Sequence, residues 1–323
     1  MSTSSSFPLT YVRLRFHCQA ETFLHLGGLR AGSNLRGALL GVMHRSTCDG
    51  DLSNPAHTDQ CPVCWLTTSS ERPGRERRGY VITPPLNNAE CLAPGEAFDF
   101  HVTLFGDAIR YLPYFVLAVP EAGCAGVGIG RGRFALLSIM AEYPKNEVRH
   151  VWKTGKAVVH LPEKPVNHSD VLSAAAQWAA QQKNQGGSLC IEYKTPLRLI
   201  AGDQLLKVPD FGAFFRHLLM RLDDLAVQQA SSAPRLLHDR QHLWGLASRV
   251  RLMGNKTHWV EVSSGSSRTG QSTWISGLVG QACYSAPVNI WQDLLPWILW
   301  GQVAQVGKDT VKGNGVFQFI DSQ

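Results

Sequence analysis

The chain lacks any long apolar run: its most hydrophobic stretch, LLPWILW at 294–300, is far shorter than the roughly 20 residues a membrane-spanning helix needs. Its opening, MSTSSSFPLTYVRLRF, lacks the apolar centre of a secretory leader. The expectation is a cytoplasmic protein with no membrane partner. Charge is scarce, at 17% of residues, and acid is scarcer than base: 25 Asp and Glu against 31 Lys and Arg leave +6. An excess this small acts on a partner only if it is gathered on one face, and nucleic acid is then the leading class of partner. Eight cysteines among 323 residues do not make a disulfide framework for a reducing compartment. Clustered ones point to metal and scattered ones to burial. The 44% hydrophobic content is enough to give a chain of this length two cores.

An internal repeat organises the rest. YLPYFVLAVPEAGCAGVGIGRGRF (111–134) aligns without a gap on LLPWILWGQVAQVGKDTVKGNGVF (294–317). Pro113 pairs with Pro296, Gly130 with Gly313, Gly132 with Gly315 and Phe134 with Phe317, each 183 positions apart. Each copy reads as a short apolar helix, a glycine-rich loop and a strand that starts at or just after the last glycine.

Around these copies LTYVRLRFHCQ alternates as a strand, SNLRGALLGVMHR reads as a helix capped by Ser33 or Asn34, and AFDFHVTLF is another strand. The second half offers SLCIEYKTPLRLI, a helix DFGAFFRHLLMRLDDLAVQQ capped by Asp210, and strands THWVEVS and STWISGLVGQACY. Two β-α-β-β-α-β units result, an α+β fold of two tandem ferredoxin-like domains of the kind that RNA-recognition modules use. The expected division is 1–145 with a Cys-rich insertion at about 47–79, a linker with one helix at 146–186, and 187–323. Trp291, Trp297 and Trp300 read as core, and His217, between Phe214, Phe215 and Leu218, as a structural residue.

Two such units with a basic glycine-rich loop before the last strand resemble the RAMP superfamily, specifically the CRISPR precursor-RNA-processing endoribonucleases. The resemblance runs over nearly the whole chain. It rests on GSNLRGALLGVMHR, CPVC, PGEAFDFHVTLFGDAIRYLPYFVLAV and GVGIGRGRF, then on YKTPLRLIAG, FFRHLLMRLDDL, GLVGQACY and VGKDTVKGNGVFQF. It implies an enzyme that binds the hairpin of CRISPR repeat RNA and cuts at its base without a metal cofactor, leaving a 2′,3′-cyclic phosphate. The alternative is a non-cleaving RAMP subunit that caps guide RNA beside other subunits of a CRISPR effector complex.

In VGKDTVKGNGVF (306–317), Gly307, Gly313 and Gly315 permit tight turns that turn backbone N–H groups toward an anion, and Lys308 and Lys312 add charge. The ordinary alternative is a turn into the final strand. The Gly-Lys-Ser/Thr ending of a mononucleotide P-loop is absent. Arg131 and Arg133 occupy the corresponding loop of the first half, as RNA contacts or structural residues, and Arg249 and Arg251 alternate in SRVRLMG, which would put both on one face of a strand, lining an RNA path or solvated. Arg13 and Arg15 alternate in the same way in YVRLRF, and ERPGRERRGY at 71–80 holds four more arginines.

Metal-free RNA cleavage needs a group to take the 2′-hydroxyl proton, one to protonate the leaving oxygen and a cation for the phosphate. Histidine suits either proton role. The resemblance points to His44, at the end of the first helix, whose other readings are an ordinary helix-end residue or a ligand beside Cys48. His25, in the loop ahead of that helix, is the next choice, and Arg36, about two turns before His44, either steadies a phosphate or is a solvated helix arginine. Cys48, Cys61 and Cys64 lie within one short stretch with a C-x-x-C knuckle, and His57 is the nearest fourth donor. The reading there is a structural zinc or a set of free thiols, and not a catalytic metal.

Overall fold

The computed structural model describes residues 7–48, 50, 54–68, 78–181, 187–230, 237–265 and 272–320. The first unit runs β1 (Tyr11–Ala20), β2 (Leu24–His25), α1 (Ala31–Thr47), α2 (Pro55–Gln60), α3 (Pro62–Thr68), β3 (Tyr80–Thr83), β4 (Cys91–Leu92), β5 (Ala97–Phe105), α4 (Leu112–Ala125), β6 (Phe134–Glu142) and β7 (Val148–Lys153). β1 is set by its alternation: Val12, Leu14, Phe16 and Cys18 are buried on one face, while Arg13, Arg15 and His17 lie on the other. Its sheet has the order β3-β5-β1-β6-β7 and is antiparallel throughout. Helices α1 and α4 cover the apolar face, burying Leu35, Leu39, Phe115 and Val119 against it.

The second unit runs α5 (His168–Gln181), β8 (Ser188–Leu197), β9 (Ile200–Ala201), β10 (Gln204–Leu205), α6 (Phe211–Gln229), α7 (Leu237–Ala247), β11 (Arg251–Val260), β12 (Ser263–Gly265), β13 (Ser272–Trp274), β14 (Gly277–Ser285), α8 (Val288–Ala304) and β15 (Phe317–Ile320). Its sheet, β11-β14-β8-β15, is again antiparallel. In both sheets the first strand sits between the third and the last of the four-strand set, which is the ferredoxin-like order. The repeat is visible in register, since Phe134 opens β6 and Phe317 opens β15. The prolines differ: Pro113 lies in the first turn of α4, whereas α8 begins earlier and holds Pro296 in its interior.

Asp210 caps α6 as expected, its Oδ1 accepting from the Ala213 amide at 2.6 Å. Ser33 and Asn34 do not cap α1. A 3-10 turn at Gly28–Arg30 brings the helix in early with Arg30 at the cap, and Asn34 inside it donates Nδ2 to the Leu26 carbonyl at 2.7 Å. STWISGLVGQACY divides into β13 and β14, and α7 appears where the pattern gave no helix. The helix expected between the units, α5, docks on α8, where Trp300 Nε1 donates to His168 Nδ1 at 3.0 Å. Cys190 and Cys283, directly opposed on β8 and β14, are joined by a disulfide, against the expectation that scattered cysteines are buried thiols. Trp291, Trp297 and Trp300 are buried, and His217 donates Nε2 to the Ile200 carbonyl at 2.8 Å.

The two units share one seam. Tyr11, Val81 and Phe105, on the helix-free face of the first sheet, belong to the core of the second unit, with the Tyr11 ring 5.2 Å from that of Trp300. Buried Gln305 donates Nε2 to the Ile82 carbonyl at 2.9 Å and to Thr83 Oγ1 at 3.1 Å. Asn88 Nδ2 reaches the Lys194 carbonyl at 3.1 Å. Nearby, Glu142 accepts from Arg13 Nε at 3.0 Å and from His101 Nε2 at 3.3 Å. Burial alone would raise the Glu142 carboxyl, but the His101 hydrogen bond and the Arg13 charge prevail and hold it at about 2. Burial and Arg13 push His101 down, against the hydrogen bond to Glu142.

Two predictions follow from this seam and its neighbour. Gln305→Ala leaves the Ile82 carbonyl buried without its donor, and a loss of about 1–3 kcal/mol is expected in chemical denaturation. Because the folded state lowers Glu142 from 4.5 to about 2, its contribution is complete above pH 4.5 and is lost as pH falls toward 2. Stability measured over that window should decline in the parent and flatten in Glu142→Gln.

Candidate nucleic-acid interface

The glycine-rich loop that follows α8 is threaded between protein surfaces. A methyl group on Gly313 would stand 2.8 Å from Pro84 Cδ, one on Gly32 of α1 2.3 Å from the Lys312 carbonyl oxygen, and one on Gly307 2.6 Å from that of Arg198. Gly313 and Gly315 have φ of +87° and +74°, which a side chain at either position would strain. The loop's amides are largely donated inward. Lys308 N–H goes to Arg198 O, Lys312 N–H to Asp309 O, Gly313 N–H to Thr310 O, Gly315 N–H to Pro196 O and Val316 N–H to Thr195 Oγ1. The Gly313 and Gly315 amides are thus engaged by protein carbonyls, and Gly313 packs between the units against Pro84 and Gly32, while Gly307 and Gly315 pack within the second unit against Arg198 and Val306. Lys312 pairs with Asp309 at 3.0 Å, and Lys308 remains exposed.

The matching loop of the first unit faces outward. Val127 and Gly132 bridge its base, and its tip carries exposed Ile129 and Arg131, followed by exposed Arg133. This tip lies beside β2, where His25 pairs with Ile129 on one side and with Cys91 of β4 on the other. His25 therefore lies in a small ribbon rather than in a free loop. Leu24 and Leu26 are buried and His25 is exposed, so alternation turns the imidazole to solvent, where Cys91 Sγ stands 3.0 Å from Nδ1.

His44 and Arg36 occupy other parts of α1. Arg36 is half-buried and donates Nε to Tyr80 Oη at 3.2 Å. His44, in the last turn, is half-buried beside Cys48, whose amide caps its carbonyl at 3.0 Å. From Gly32, against the glycine-rich loop, to His44 the helix rises about 18 Å at 1.5 Å per residue. Arg249 and Arg251 do not share a strand face: Arg249 lies in the turn after α7, its amide bonded to Leu246 O, and Arg251 begins β11, with both exposed. The arginine-rich stretch at 71–80 falls mostly outside the described residues.

The cysteine cluster closes at the far end of α1. Cys48, His57, Cys61 and Cys64 bring one donor atom each within 4.8 Å of one another. Cys48 Sγ is 3.3 Å from His57 Nε2 and 3.5 Å from Cys64 Sγ, and Cys64 Sγ is 3.5 Å from His57 Nε2. Tetrahedral zinc, with bonds of about 2.3 Å to sulfur and 2.0 Å to nitrogen, sets its ligand atoms roughly 3.5–3.8 Å apart. The donor set fits that ion. His57 reaches the cluster through α2, whose N-cap Asn54 accepts from the Ala56 amide at 3.0 Å. The ribbon's outward apolar pair, Phe23 and Ile129, was overlooked in the sequence, although the alternating FLHL at 23–26 places Phe23 on the same side as His25.

Among known proteins, residues 191–317 match the family model for the CRISPR-associated endoribonuclease Cas6, and residues 9–164 match a model described as an N-terminal domain. A Cas6 product complex is similar over 96% of this chain and 99% of its own, with a TM-score of 0.56 and 14% identity. Thermus thermophilus Cas6 aligns over 97% and 99% with a TM-score of 0.54 and 12% identity. A partial Cas6-RT-Cas1–Cas2 complex aligns over 98% of this chain and 47% of its own, with a TM-score of 0.62 and 12% identity. No curated protein matches. The second unit thus matches the model of the CRISPR-associated endoribonuclease Cas6, and the tandem ferredoxin-like fold is shared with the solved Cas6 structures over nearly the whole chain.

Proposed function

We propose that the protein binds the hairpin of CRISPR repeat RNA and cuts the precursor transcript without a metal ion in the reaction, leaving a 2′,3′-cyclic phosphate. The observation that carries this reading is an outward histidine, His25, held in a ribbon between the Cys91 strand and the Arg131 loop tip of a chain whose second unit matches the Cas6 model. In the reaction the 2′-oxygen attacks the adjacent phosphorus and loses its proton while the 5′-oxygen leaves and gains one. An exposed imidazole can carry one of those proton transfers. Arg131 and Arg133 supply cationic charge for the phosphate, and Lys308, Arg249 and Arg251 extend basic contact to the RNA backbone. His44 is the second choice, since its side chain is half-buried beside the cysteine cluster, and Arg36 is tied to Tyr80.

The Cys48–His57–Cys61–Cys64 set is proposed to hold a structural zinc, which ties α2 and α3 to the end of α1 and takes no part in the cut.

Incubating the protein with repeat RNA in excess EDTA tests the cleavage reading. Cutting should continue, His25→Ala should abolish it with binding retained, and His44→Ala should cut. RNA that is bound yet left whole by the parent would favour the guide-capping alternative. If His44→Ala alone is silent, the assignments exchange. Metal analysis should find about one zinc per chain, and Cys64→Ser should release it and lower the melting temperature. A parent free of zinc would make the cluster a group of thiols.

A further inference from the structure

Phe23 is 66% exposed and Ile129 67%, and the bridge from His25 to Ile129 brings their two segments together. Opposed residues of an antiparallel pair share a face, so outward His25 and outward Ile129 are neighbours, and exposed Phe23 stands two residues before His25. The segment is held firmly. Glu21 and Thr22 amides both donate to Arg133 O, at 2.9 and 3.3 Å, and the Arg133 amide returns to Thr22 Oγ1 at 2.8 Å. Gly132 lies so close that a methyl group there would stand 2.3 Å from the Phe23 carbonyl oxygen. Arg131 and Arg133, on either side of Gly132, thus issue from backbone that touches the backbone of Phe23.

We propose that Phe23 is a stacking platform for one unpaired base of the RNA, with Ile129 widening it and Arg131 and Arg133 holding the adjoining phosphates. An aromatic ring left to water beside two exposed arginines matches what single-stranded nucleic acid recognises, a π-face next to cationic charge. Duplex does not offer its bases, which are stacked on one another, so the occupant is a nucleotide in the strand flanking the hairpin. The ring's position two residues from His25 makes this contact a determinant of which phosphate is presented for cutting. This inference rests on the RNA-cleaving reading above.

The test places 2-aminopurine, one position at a time, in the single-stranded flanks of the repeat RNA and titrates parent, Phe23→Ala and Phe23→Tyr. Parent and Phe23→Tyr should quench one position, and Phe23→Ala should leave it bright. Affinity should fall roughly 5- to 100-fold in Phe23→Ala and recover in Phe23→Tyr, with melting temperature unchanged. Parent that binds and cuts while Phe23→Ala matches it at every position overturns the platform alone and returns the patch to a protein partner. Parent that binds no repeat RNA overturns the function and the platform together.

Discussion

The close approach of two backbones at Gly32 and Gly313 holds the architecture together. Where the glycine-rich loop passes α1 and Pro84, atoms stand at distances that leave no room for a Cβ, and Gln305 bonds to the strand beyond. The loop thereby acts as the clasp between two ferredoxin-like units. Its small residues answer a packing demand before any demand made by RNA, because a larger side chain would separate the sheets that carry everything else.

Once the clasp is closed, the two glycine-rich loops of the repeat take different work. The later copy is largely buried and spends its amides on protein carbonyls, leaving Lys308 as its exposed cation. The earlier copy ends in a hairpin tip that faces water beside β2 and gathers Ile129, Arg131 and His25. Duplication supplied one geometry, and the neighbours of each copy decided which side of it met solvent. Catalysis, under the reading proposed, belongs with the loop that remained outside.

The cysteine cluster and the open sheet face show the same division at the level of electrostatics. Three thiols and an imidazole converge at the end of α1, in a set suited to one tetrahedral ion. Glu142 is kept ionised in a half-buried position by the His101 and Arg13 groups around it, so a buried charge is tolerated through its partners. The carboxylate arrangement joins residues distant in the chain, Arg13 to Glu142 among them, whereas the cysteine cluster gathers residues of one short stretch.

The alternation of β1, the Asp210 cap, the register of Phe134 with Phe317 and the C-x-x-C knuckle were legible in the sequence, because each depends on spacing along one segment. So was the ferredoxin-like plan, which follows from the order of strands and helices. Which amides of residues 306–317 were already engaged, that Arg249 would fall in a turn, and that Cys190 would meet Cys283 were decided only in the tertiary structure. Each of these depends on what a distant segment brings alongside, and local spacing carries no record of it.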